Sequence, residues 1–326
     1  MFDAINQRLL DEFQRDLPLV ARPFAVIGET LEIPEHDVIR RLDAMQSAGM
    51  ISRVGATIRP NTAGASTLAA LAIPEARIED VAAIVGAEPG VNHAYLREDD
   101  WNFWFVATAP TQQALADSLK RISSRTGLDV LDLPLLRPFN IDLGFRLSGP
   151  RQMLRAGDAP DPSVVRDGDR PLLQAMVEGL PLGKRPFAAL AMKLARTEEE
   201  VLARLAVLLA AGIITRIGVI VRHRAIGWSS NAMVVWELPE ERIEAAGLSL
   251  AALPGVTLCY QRRTVPGVWP FALFCMIHAR SRAEAQSVLA IAAAKPELAG
   301  ARHRALFSTR CFKQMGALVH SEGAAA

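Results

Sequence analysis

In residues 216–222, RIGVIVR, apolar side chains fall on every second position, so that Ile217, Val219 and Val221 share one face and Arg216 and Arg222 the other. A period of two predicts a strand. The preceding residues keep a different rhythm. DRPLLQAMVEGL, PFAALAMKLA and TEEEVLARLAVLLAAG space their apolar residues at helical intervals, and the third begins with Thr197 as N-cap, carries acids in its first turn and stops at Gly212. The three predict a helix-turn-helix outline. After residue 213 the period of two returns in RIGVIVR, NAMVVWEL, VTLCYQR, FALFCMIH and HRALFST, with helices from Pro239 to about Leu253 and through SRAEAQSVLAIAAA. That β-β-α-β-β-α-β order predicts an antiparallel sheet with helices on one face.

The pattern occurs twice. LPLVARPF (17–24) returns as LPLGKRPF (180–187) and AGMISRVG (48–55) as AGIITRIG (211–218), a shift of 163 that also lays Arg59 on Arg222. Further on the shift becomes 165, placing Tyr95 on Tyr260 and Arg97 on Arg262, and then about 170, placing WNFWFVAT (101–108) on FALFCMIH (271–278). Drift confined to turn-like places marks a structural repeat with loop insertions. The chain therefore divides into a first helical head (1–50), a first sandwich (51–145), a tether rich in Gly, Pro, Asp and Arg (146–166), a second head (167–213) and a second sandwich (214–320).

Composition narrows the function. Thirty-six Lys and Arg nearly cancel 35 Asp and Glu, for a net charge of +1, so any attraction for an anion must be local. The first turns of the third head helices, PEHDVIRR (34–41) and TEEEVLAR (197–204), carry acids where a DNA-reading helix would meet phosphate, and nucleic acid is not expected as a partner. No apolar run is long enough to span a bilayer, which implies a cytoplasmic protein without a membrane partner. Cys259, Cys275 and Cys311 lack metal-site spacing and read as free thiols.

A helix-turn-helix head followed by such a sandwich resembles the Lrp/AsnC regulators, and the detailed pattern is more specific. RVGATIRPNTAG and VNHAYLREDDWNFWFV in the first half, with IGVIVRHRAIGWSSNAMVVWELPE, VTLCYQRR, WPFALFCMIHAR and FSTRCFKQMG in the second, resemble the two subunit types of siroheme decarboxylase joined in one chain. The resemblance implies an α+β fold, a tandem repeat of a helix-turn-helix head plus a ferredoxin-like AsnC-type sandwich. It implies loss of two carbon dioxide units from the acetates at carbons 12 and 18 of siroheme, in heme d1 or alternative heme biosynthesis. No cofactor beyond the iron tetrapyrrole substrate and no protein-bound metal are expected, and a homodimer is compatible with the pattern. An Lrp/AsnC-type regulator and a tetrapyrrole carrier are the competing readings.

Siroheme is a flat apolar macrocycle rimmed by eight carboxylates, so its pocket needs apolar walls and peripheral cations. Arg59, Arg97, Arg216, Arg222, Arg224, Arg262 and Arg263, with Tyr260, are the expected substrate-binding residues, although each arginine taken singly also fits a solvated strand end. Trp228, Trp269 and Phe271 are candidates to flank the ring, or else core aromatics. Protonation of the carbon that loses its carboxylate calls for an acid titrating near neutrality. By the resemblance His223 and His278 are the expected catalytic residues, with axial ligation of the substrate iron as an alternative role for one of them. His93 is a weaker candidate, Tyr95, Asn231 and Lys313 are weaker still, and Asp99 stands where related first halves carry a histidine.

Overall fold

The computed structural model describes residues 3–140 and 159–321, so most of the tether expected at 146–166 lies outside the described residues. The first head comprises α1 (Ala4–Glu12), α2 (Pro23–Leu31), α3 (Glu35–Ser47) and the strand β1 (Ile51–Ile58). The first sandwich follows with β2 (Ala65–Leu71), α4 (Ile78–Ala87), β3 (Val91–Arg97), β4 (Phe103–Ala109), α5 (Gln112–Thr126) and β5 (Leu131–Asn140). The second head repeats the first as α6 (Asp169–Glu178), α7 (Pro186–Lys193), α8 (Glu198–Ala210) and β6 (Ile214–Val221). The second sandwich contains β7 (Ser230–Glu237), α9 (Glu240–Ala251), β8 (Val256–Arg262), β9 (Leu273–Ala279), α10 (Arg282–Ala293) and β10 (Arg302–Gln314).

Local chemistry sets the helix ends. Thr197 and Glu200 form a reciprocal capping box at α8, and Gly212 takes the left-handed conformation after it. The acids at the starts of α3 and α8 are held within the heads: Arg22 pairs with Glu35, and its repeat Arg185 pairs with Glu198.

β1 and β6, placed by the sequence pattern at the starts of the two sandwiches, instead pair with each other as an antiparallel ribbon centred on Gly55 opposite Gly218. Each head grips the other's strand. Leu180 N donates to Val54 O at 2.7 Å, and Leu17 N donates to Ile217 O at 3.1 Å. The helix ends come so close that a Cβ on Gly55 would lie 2.4 Å from the Met176 carbonyl oxygen, and one on Gly218 would lie 2.4 Å from the Gln14 carbonyl carbon. A period of two identifies a strand without saying which edge it joins.

The remaining strands close into one eight-stranded barrel in the order β10-β3-β4-β2-β5-β8-β9-β7. Each sandwich supplies four strands, and the two seams are β5 on β8 and β10 on β3. α4 and α5 cover the outer face of one sheet, and α9 and α10 cover that of the other. The inner faces meet in a third core containing Trp104, Trp269, Phe271 and Phe274. β9 shows how two cores share one strand: Leu273, Cys275 and Ile277 point outward under the helices, while Phe274 and Met276 point into the barrel. Among the described residues no helix is long and apolar enough to cross a membrane.

Candidate active site

A cavity of about 360 Å³ lies between the β1–β6 ribbon, the inward-facing side chains of the barrel and the segment 314–319. This volume falls within the range of small-molecule clefts. Arg53, Arg59, Arg97, Arg216 and Arg262 line it together with His93, His223 and His278, and among the described residues no lining residue is a carboxylate. Leu68, Trp104, Met233 and Met276 give it an apolar wall.

These cations are poorly compensated. Burial pushes Arg216 and Arg97 down to about 10, and burial with the neighbouring Arg216 does the same to Arg53. Arg216 Nη1, Arg97 Nε, Arg53 Nε and Arg262 Nε have no hydrogen-bond partner among the described residues. Buried donors and positive charge left in this state are costly unless a ligand completes them. Two arginines lean on phenols. The Arg262 guanidinium carbon sits 4.5 Å from the Tyr260 ring centroid, and that of Arg97 sits 5.4 Å from the Tyr95 centroid.

His278 is fixed at both ring nitrogens. Arg97 Nη1 donates to Asn231 Oδ1 at 2.9 Å, so the Asn231 amide nitrogen is the group that faces His278 Nε2, at 2.7 Å. An amide nitrogen only donates, hence Nε2 accepts and the proton of the neutral ring sits on Nδ1. From there it points to Thr257 Oγ1, 2.7 Å away, whose own hydroxyl donates to the Met276 carbonyl at 3.1 Å. The His223 ring stands edge-on to His278, with centroids 4.7 Å apart and planes at 78°. Burial, then Arg224 and His93, push His223 down to about 4, and burial, then Arg53, push His93 to about 4. His93 Nδ1 lies 3.0 Å from Asn92 Oδ1.

The cavity thus gathers His223, His278, Arg59, Arg97, Arg216, Tyr260 and Arg262 from among the expected site residues. Three arginines stand apart. β6 ends at Val221, so the alternation does not carry on to Arg222, which is exposed. Arg224 is not part of the lining and donates to Ser308 Oγ at 3.0 Å, although its charge still acts on His223 and Arg97. Arg263 pairs with Asp132 on the outer surface at 3.2 Å. Trp228, Trp269 and Phe271 also lie off the cavity: Trp228 packs on the heads' core, and the other two fill the barrel interior, where Trp104 takes the lining position. Lys313 reaches the carbonyls of Gly86 and Glu88 at the end of α4, and Asp99 pairs with Arg304. Arg53 was not singled out from the sequence, although its place in the repeat, 163 residues before Arg216, marks it.

Fold and site together define a duplicated AsnC-like protein whose two sandwiches line a cavity rich in arginine and histidine. Residues 63–140 and 225–313 match the family model of the AsnC-like ligand binding domain, and residues 6–51 and 169–214 match that of the siroheme decarboxylase NirDL-like HTH domain. The siroheme decarboxylase NirDL subunit of Paracoccus pantotrophus is 62% identical over 97% of this chain and 98% of its own length. A crystal structure of the siroheme decarboxylase NirDL superposes with a TM-score of 0.70 at 27% identity, covering 97% of this chain and 94% of that one. A second, in co-complex with an iron-uroporphyrin III analogue, gives 0.67 at 26% identity, covering 96% and 92%. The chain belongs to the siroheme decarboxylase family, a group of carbon–carbon lyases.

Proposed function

We propose that the protein removes carbon dioxide from the acetates at carbons 12 and 18 of siroheme, leaving methyl groups, on the way to heme d1 or to heme by an alternative route. One observation carries this reading: five arginines and three histidines converge on a partly apolar cavity whose lining, among the described residues, holds no acid. A polycarboxylate macrocycle supplies what such a cavity lacks.

In each step the bond between the acetate methylene and its carboxylate breaks, carbon dioxide leaves, and the electron pair spreads into the macrocycle until the carbon takes up a proton. No oxidant is consumed. The iron arrives with the substrate, and the chemistry requires no organic cofactor. Arg53, Arg59, Arg97, Arg216 and Arg262 hold the rim of acids and fix which acetate reaches the reactive position. His223, which lines the cavity, is the proton donor, and His278 is held at its ring nitrogens by Asn231 and Thr257. Burial, then the charge of Arg224, favours the neutral form of His223. Bound carboxylates offset the arginine field and raise its affinity for a proton. His278 positions His223 through their edge-on contact.

Anaerobic incubation with siroheme followed by mass analysis tests the reading. Products lighter by one and then two carbon dioxide units are expected. Bound pigment of unchanged mass would make the protein a carrier and overturn the assignment.

A further inference from the structure

The cavity straddles the internal repeat. Arg53 with Arg216, Tyr95 with Tyr260 and Arg97 with Arg262 are repeat-related pairs, and both members of each pair line the same space. The cationic and phenolic frame is therefore nearly two-fold. The histidines are not. His223, His278 and His93 answer to Pro60, Thr108 and Leu258 in the opposite halves.

The strand order shows where this asymmetry falls. His278 stands on β9, its partner Asn231 on β7 and His93 on β3, so with β10 they occupy the continuous arc β9-β7-β10-β3. The repeat carries that arc onto β4-β2-β5-β8. There Thr108 lies opposite Ser66 in the register that places Asn231 opposite His278 in the other half. Thr108 is engaged elsewhere, because its hydroxyl accepts from Leu318 N at 2.8 Å. The donor His223 stands against the first arc, its ring 4.7 Å from that of His278, whereas β4, β2, β5 and β8 carry no histidine among the described residues.

The substrate has a matching symmetry. Around its two reacting rings the acids run acetate, propionate, propionate, acetate at carbons 12, 13, 17 and 18. A half-turn about the in-plane axis between those rings exchanges 12 with 18 and 13 with 17. Resting on the function proposed above, we infer that siroheme binds in two orientations related by this half-turn, each bringing one acetate to the single histidine arc, and that the mono-decarboxylated intermediate leaves and rebinds between the two steps. Inverting a flat macrocycle gripped at its rim by arginines from both halves requires all of those contacts to be released together, which amounts to dissociation. Each step is the balanced exchange of one proton for one carbon dioxide at the same donor.

A label chase decides the matter. The protein is mixed anaerobically with one equivalent of carbon-13 siroheme and, before the first turnover ends, with a large excess of unlabelled siroheme. The expected result is labelled mono-decarboxylated pigment free in solution, with labelled doubly decarboxylated product reduced in proportion to the chase. Label carried through both losses irrespective of the chase would overturn the proposal. In a second arm, His223→Gln should slow both losses by the same factor, whereas a variant that completes one loss at the wild-type rate and then stops would place a second donor elsewhere and equally overturn it. Wild-type protein that releases no carbon dioxide from siroheme is a different failure, since it removes the underlying assignment.

Discussion

The Nε2 atom of His278 lies 2.7 Å from the side-chain nitrogen of Asn231, and Arg97 fixes which end of that amide faces it. Asn231→Ala leaves the buried Arg97 and the imidazole short of one partner each. We expect it to cost about 1–3 kcal/mol in denaturant unfolding and to lower kcat more than it raises KM, because His223 loses the support of an anchored neighbour. Unchanged kcat with ordinary stability would show that the network does not position the donor.

Arg216 is more useful to a ligand than to the fold. It is 7% exposed, and among the described residues it pairs with no acid and leaves one of its donors, Nη1, without a hydrogen-bond partner. Replacing a buried uncompensated charge with an apolar residue of similar length relieves its desolvation. Arg216→Met should therefore raise the stability of the empty protein by about 1–2 kcal/mol, while siroheme binding weakens by about tenfold or more. Calorimetric unfolding and a spectroscopic titration would check the two effects. A less stable variant that binds normally would contradict both.

The pH dependence has a definite sign. His93 and His223 have pKa values of about 4 in the folded protein, below the roughly 6.5 of an unfolded histidine. The unfolded chain therefore holds more protons between these limits, and the stability of the empty protein should fall as pH drops from about 6.5 to about 4. Substrate binding should take up protons above pH 4, since bound carboxylates raise the histidines towards neutrality. Calorimetry in buffers of different ionisation enthalpy measures that uptake, and proton release on binding would reverse the proposed role.

Gly55 and Gly218 sit where each head's helix end meets the other head's strand. A methyl group at either position meets the backbone, and a shift of the helix end is required. Each alanine substitution should cost about 1–3 kcal/mol, with similar effects at the two positions because the contacts are related by the repeat. Thermal unfolding of the two single variants checks this, and a neutral substitution at one site alone would show that the heads are not gripped equivalently.

Much of this arrangement is legible in the sequence because it is local or duplicated. The Thr197 cap, the Gly212 stop, the paired LPL and RPF stretches and the strand–helix alternation all specify elements near themselves. The barrel is less legible, since alternation does not say which edges join, and Arg263 reads as a site residue until β5 and β8 are seen to bring Asp132 to it. β9 is buried along its whole length, so LFCMIHA does not disclose that Met276 and His278 face the cavity while Ile277 faces a helix. Parity served for Arg216 and failed for Arg222, six residues on, because the strand stopped one residue before the latter.

The two seams of the barrel determine how the molecule can be assembled. A lone half presents β5 and its partner edge as rows of unpaired amides and carbonyls, a template for mispairing that only the complementary half covers correctly. Carrying both halves on one polypeptide converts that encounter into an intramolecular one, so completion of the ring no longer depends on the protein's abundance in the cell.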